Sequence, residues 1–147
     1  MKLVSNKVHS GILMVLALLL LSGCAATGSQ FTGVEAASSP KIGVVYFYRP
    51  KAFVGGGVKV QLADNGEDIM RLQNGQFARY EVMPGKHEFR TDTMAIDKAV
   101  EVEIEAGKNY FIRAGIRQGA WTSTWFLTRV YEDEAVAELM TCCKSGS

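Results

Sequence analysis

A chain of 147 residues, 48% hydrophobic and 21% charged with a formal net charge of +1, has the profile of one ordinary globular domain. Those figures exclude a long disordered tail, a collagen-like repeat, a polytopic membrane protein and a strongly basic nucleic-acid binder. Two histidines, His9 and His87, and three cysteines leave few residues for metal or nucleophile chemistry.

The apolar content is unevenly spread. Lys2 and Lys7 form a short cationic stretch, and residues 11–21 (GILMVLALLLL) form an apolar run. That run falls short of the roughly 20 residues needed to cross a bilayer, so residues 1–23 read as a cleaved secretory signal. Leu21-Ser22-Gly23-Cys24 follows directly and resembles the lipobox of bacterial lipoproteins, in which small residues precede the cysteine whose thiol is alkylated. The resemblance implies that Cys24 becomes the mature N-terminus and carries three acyl chains. One chain gives only reversible membrane binding, at about 0.8 kcal/mol per buried methylene, so three hold a protein permanently. A non-lipidated secreted form cut after Ala25 or Ala26 is the alternative. Ala25, where some lipoproteins have Asp, resembles the signal for transport to the outer membrane of a Gram-negative cell.

Residues 1–23 carry two of the 16 basic residues and none of the 15 acidic ones, so the mature balance turns to −1. No polybasic run remains to bind nucleic acid. Residues 24–41 are rich in Ala, Ser, Gly and Thr without a sustained period and read as a lipidated flexible tether. A segment of this size reaches on the order of 20 Å. Docking of Phe31 and Val34 onto the domain is the alternative.

From residue 42 to 141 alternation dominates, with turn residues every eight to twelve positions, and predicts an antiparallel β-sandwich of about seven or eight strands. Ile42 to Arg49 is a β-branched and aromatic run stopped by Pro50. Val58 to Ala63 alternates strictly, and Asp64-Asn65-Gly66 supplies the positive-φ residues of a tight turn into Glu67 to Leu72. Asn74-Gly75 turns the chain into Gln76 to Val82. Pro84-Gly85 turns it again into Lys86 to Thr91, where His87, Phe89 and Thr91 share a face.

Val100, Val102 and Ile104 alternate with Glu101, Glu103 and Glu105, and Ala106-Gly107-Lys108 predicts a hairpin in which Ile104 opposes Tyr110 and Glu101 opposes Arg113. The last strand spans Trp121 to Tyr131. Glu132 to Met140 then changes period: Val136, Leu139 and Met140 have helical spacing, and acids crowd the first turn. A short amphipathic helix is expected there, on or across an open end of the sheet, followed by a tail over residues 142–147.

The order Tyr46-Phe47-Tyr48-Arg49-Pro50, Leu72-Gln73-Asn74-Gly75-Gln76-Phe77, Val82-Met83-Pro84-Gly85-Lys86-His87 and Ala106-Gly107-Lys108-Asn109-Tyr110-Phe111 resembles the pattern of the DUF2846 family. Its members are bacterial proteins, lipoproteins among them, of unknown function. The middle part is also similar to PEGA-type modules, which are small β-sandwiches of surface proteins. The resemblance implies a β-sandwich in the cell envelope and assigns no catalytic residue.

The remaining candidates rest on their own chemistry. Gly55-Gly56-Gly57 lacks the Lys-Ser/Thr of a phosphate loop and reads as a flexible hairpin tip. His87 has no Cys or second His at ligand spacing and reads as structural. Glu101, Glu103 and Glu105 read as a solvated outer face. Cys142 and Cys143 leave three readings open: free thiols, an intermolecular link, or a vicinal disulfide or thiolate metal site. Trp121 and Trp125, with Arg117 nearby, have the spacing of an aromatic platform for a sugar ring, or are core.

These observations lead to the expectation of a lipid-anchored, non-catalytic interaction module in the envelope, attached to the membrane through Cys24 and binding another envelope protein, with no metal and no cofactor. A small-ligand or glycan receptor using Trp121, Trp125 and Arg117 is the alternative. An enzyme is the weakest reading, since no nucleophile and base, carboxylate pair or metal triad stands out.

Overall fold

Seven consecutive buried residues, Gly43–Arg49, form strand β1 at the centre of the molecule. The structure is a computed structural model and describes residues 28–91, 99–119, 121 and 123–146. The secretory signal and Cys24 lie outside the described residues. An unbroken apolar run is what a strand buried on both faces requires. Val45 and Phe47 face a second sheet, while Val44, Tyr46 and Tyr48 face a separate cluster on the other side.

After β1 come β2 (Val60–Asp64), β3 (Glu67–Leu72), β4 (Gln76–Val82), β5 (Gly85–Thr91), β6 (Val100–Ile104), β7 (Asn109–Gln118) and β8 (Ser123–Val130). Helix α1 (Glu132–Cys142) and a two-residue strand β9 (Lys144–Ser145) close the described chain. One sheet has the order β8-β7-β1-β4-β9 and the other β3-β2-β5-β6. Two facing sheets with an interior of Phe47, Leu62, Leu72, Phe89, Ile112 and Leu127 make a β-sandwich, as the alternation predicts.

The sandwich is not purely antiparallel, because β1 runs parallel to β7 and β4 runs parallel to β9. The β2–β3 hairpin forms at the expected turn, with Asn65 at φ 48° and Gly66 at φ 88°. The expected β6–β7 hairpin does not form. Strand β6 pairs with β5, placing Glu101 opposite Glu88, while Arg113 in β7 lies opposite Tyr48 in β1. The physical reason is that Val102, Ile104, Tyr110 and Ile112 all point into the interior whether their strands are neighbours or face each other across the core. Alternation fixes the face and leaves the partner open.

Helix α1 covers the outer face of the five-stranded sheet, where Phe111 and Val130 need burial, rather than an open end. Ala135 and Leu139 are its buried residues, Val136 is partly buried, and Met140 is exposed. The described part of the expected tether, from Gly28 onward, shares that face. Phe31 is 4% exposed and meets Tyr46 and Phe77 edge-on at 5.9 and 5.4 Å. From Gly28 to Lys41 the segment is therefore laid against the sheet, because an aromatic side chain on a short linker gains more by covering Tyr46 than by staying in water. The expected tail is docked too: Cys143 is buried and β9 pairs with Gln76 and Phe77.

Candidate functional site

Arg49 is the most unusual side chain of β1. It continues the inward face of Val45 and Phe47, is almost completely buried, and has no carboxylate partner among the described residues. Its Nη2 donates to the Gly55 carbonyl at 2.6 Å, and its Nη1 donates to the Val58 carbonyl and, at 3.4 Å, to the Leu72 carbonyl. The guanidinium lies over the Trp125 ring, 4.4 Å from its centroid. Burial pushes the Arg49 pKa down from its ordinary value, and three backbone dipoles with an indole face offset the lost hydration.

Those bonds fix the loop from Pro50 to Lys59. Asn74 holds its start, accepting from Ala52 N–H and donating to Ala52 C=O, both at 2.8 Å. Gly55 adopts φ +71°, and a Cβ there would lie 3.0 Å from Ile116 and 3.1 Å from Trp125. A side chain is thus disfavoured by conformation and by space. Gly55 and Gly56 are fitted into a turn, while Gly57 faces open space. Around this turn opens a cleft of about 630 Å³ lined by Lys51, Lys59, Asn74, Cys142 and Lys144 among others. Phe53 is fully exposed beside it and Val58 is half exposed.

The predicted aromatic platform does not assemble. Trp125 is 8% exposed and belongs to the interior, whereas Trp121 is 96% exposed at the β7–β8 tip. Both have the same parity, but Trp121 precedes the first residue of β8, so alternation does not carry to it. Arg117 is exposed and stacks over Phe126 at 5.4 Å. Among these three residues, Trp121 and Arg117 remain available for contact.

Cys142 and Cys143 are joined as a vicinal disulfide with a Cα separation of 3.7 Å. This is the least conventional of the three readings left open by sequence. Cys143 Sγ also lies 3.6 Å from the Arg49 carbonyl, so the end of α1 sits beside the end of β1.

The remaining polar groups are taken up by the fold. His87 Nδ1 lies 2.8 Å from Asp64 Oδ2, its Nε2 lies 3.0 Å from the Met83 carbonyl, and its ring stacks on Phe89. Tyr80 donates to the same Asp64 oxygen at 3.2 Å; burial and then the Asp64 carboxylate push its pKa up. Tyr48 donates to Glu138 at 2.7 Å, and Arg113 donates to the other Glu138 oxygen at 2.6 Å. Burial first, and Glu138 next, raise the Tyr48 pKa well beyond the usual phenol range. Among the described residues no group of three or more His, Cys, Asp or Glu could hold a metal ion.

Sequence reading missed Arg49, Lys51, Phe53, Lys59, Asn74 and Lys144. The available signal was an arginine at inward parity in an apolar run, followed by an aromatic in a glycine-rich loop between lysines.

Residues 40–125 match the family described as "Protein of unknown function (DUF2846)". An uncharacterised protein of Haemophilus influenzae is 29% identical over 126 residues, covering 79% of this chain and 72% of that one. No solved structure matches the chain.

Proposed function

The chain belongs to the DUF2846 family, and from that membership together with its leader we propose a lipid-anchored envelope protein that acts by contact rather than by catalysis. The observation that carries the anchor is Leu21-Ser22-Gly23-Cys24 at the end of the apolar run, only a few residues before Gly28 meets Ser145 at β9. Three acyl chains on Cys24 would hold the domain at the membrane, and Ala25 favours the outer membrane with the domain in the periplasm.

Unequal cover of the two sheets supports the contact role. The five-stranded sheet is overlaid by α1 and the segment from Gly28 to Lys41. The four-stranded sheet instead exposes Lys86, Arg90, Glu101 and Glu103, with β3 and β6 as its edges. A charged face of both signs suits an envelope protein partner recognised by complementary charge. Neither nucleic acid nor a cofactor enters this reading. A glycan receptor would have to work from Trp121 and Arg117 alone.

Feeding cells a fatty-acid probe tests the anchor: label must be present on the native protein and absent from Cys24→Ser. A photo-crosslinking residue at Glu101 or Glu103 in intact cells tests the face. A discrete crosslinked protein is expected, and its absence with label intact would remove the sheet face from the proposal.

A further inference from the structure

We propose that the end of the sandwich bearing Lys51, Phe53, Val58, Lys59, Trp121 and Lys144 rests on a bilayer surface containing anionic lipid headgroups. The inference rests on the anchor reading above, and it specifies which end of the domain faces the lipid.

The topology gathers these residues at one end. Arg49, the last residue of β1, lies opposite Gln76, and Gln76 pairs with Lys144. The loop carrying Lys51, Phe53 and Lys59 follows β1 directly. Strand β7 runs parallel to β1 and continues past Arg113, the partner of Tyr48, so the β7–β8 tip with Trp121 extends beyond the same end. Gly55, close beside Ile116 and Trp125, sets this loop against the two strands that carry the β7–β8 tip.

The chain reaches the fold at that end as well. Ser29 N–H donates to Ser145 Oγ at 2.9 Å, and Gln30 bridges Lys144. A fully extended chain spans at most about 3.6 Å per residue, so the four steps from Cys24 to Gly28 allow at most about 14 Å. An anchor on so short a lead, attached beside Lys144, brings this end of the domain to the lipid.

Its chemistry fits such a surface. Phe53 and Trp121 are exposed large aromatics, the side chains that partition to the boundary of headgroups and acyl chains, and lysines keep their charge in water while their stems cover apolar surface. The cleft contains Lys51, Lys59 and Lys144 and no acidic residue. Ion pairs among the described residues involve Arg79, His87, Arg90 and Arg113 instead. Arg49 and Asn74 hold the loop in place, so Phe53 is presented rather than left to collapse onto the core.

The test uses the mature lipidated protein in vesicles of phosphatidylethanolamine and phosphatidylglycerol containing a phospholipid brominated on its acyl chain. Trp125 is interior, so quenching by the brominated lipid reports Trp121. Strong quenching is expected, together with loss of access to aqueous acrylamide, and Trp121→Phe must abolish the quenched component. Replacing Lys51, Lys59 and Lys144 by Gln should weaken the surface contact by roughly fivefold for each charge removed, and phosphatidylcholine vesicles should do the same to the native protein. Protein that floats with the vesicles while Trp121 stays open to acrylamide and unquenched overturns the proposal and leaves the anchor intact. That result is also the one expected if a protein partner, absent from the vesicles, occupies this end. Protein that carries no acyl label and does not float removes the anchor reading itself.

Discussion

Among the described residues, the buried cation of Arg49 meets three carbonyls and an indole and no carboxylate. Its removal would take one donor from each of the Gly55, Val58 and Leu72 carbonyls, of which Gly55 keeps the Val58 N–H. Hydrogen bonds to a charged group contribute about 1.5–3 kcal/mol, so Arg49→Leu is expected to lower stability by about 3 kcal/mol, read as a lower urea midpoint with an unchanged slope. Phe53→Ser, at a fully exposed position, should stay within about 0.5 kcal/mol of the native protein. A large loss there would mean that Phe53 packs on something. The inward parity of Arg49 is legible in the run from Ile42, but its acceptors come from two separate segments, the loop after β1 and the end of β3, and no local pattern announces them. His87 shows the same limit: its face, shared with Phe89, follows from alternation, while its partner Asp64 reads in sequence only as a turn residue.

At the scale of elements, the segment from Gly28 to Lys41 is held by two kinds of contact. Phe31 fills an aromatic slot, and Phe31→Ala should cost about 3 kcal/mol while raising hydrogen exchange selectively in this segment and the strand beneath it. Glu81 pins the other end. Its carboxylate accepts from the Ser38 hydroxyl and amide, with Arg79 adding a further bond, and these hold its pKa down at about 2 from an ordinary 4.5. A depressed carboxylate stabilises the folded state fully above its ordinary value and loses that contribution as pH falls through the folded one. Docking near Ser38 should therefore weaken between about pH 4.5 and 2. An NMR titration of the Glu81 carboxyl reads this directly, and Ser38→Ala should move its midpoint upward; an unmoved midpoint would deny the bond its role. The sequence showed the apolar residues of this segment, not the aromatic slot between Tyr46 and Phe77 that receives one of them. For α1 it showed the period but misplaced the stripe, because Ala135 fits where Met140 does not.

For the whole molecule, strand existence was almost entirely legible and strand partnership was not. Strands β2 to β8 follow from alternation and turn residues, and β1 follows from its unbroken β-branched and aromatic run, which is buried on both faces. Sheet membership depends on which of several equivalent apolar faces meet, and the chain changes sheet between β1 and β2, β3 and β4, β4 and β5, and β6 and β7. The end of the chain is closed by Cys142–Cys143 and by β9 on β4. Alkylation under denaturing, non-reducing conditions should leave both cysteines unmodified, and reduction should expose both without changing the size of the species on a gel. A reducible dimer would instead place the link between chains.

The parallel pairing of β1 with β7 also sets an order of events for the nascent polypeptide. The central strand is synthesised first, yet both of its flanks arrive late, one of them only when Asn109 and its successors exist. Local closure is limited to the consecutive antiparallel pairs β2–β3, β5–β6 and β7–β8, so a polypeptide truncated before β7 carries the central buried strand of the fold with one flank unpaired. Refolding on the milliseconds-to-seconds scale of sandwich topologies is the expected kinetic signature, and unfinished chains are expected to be aggregation-prone until the last third has emerged.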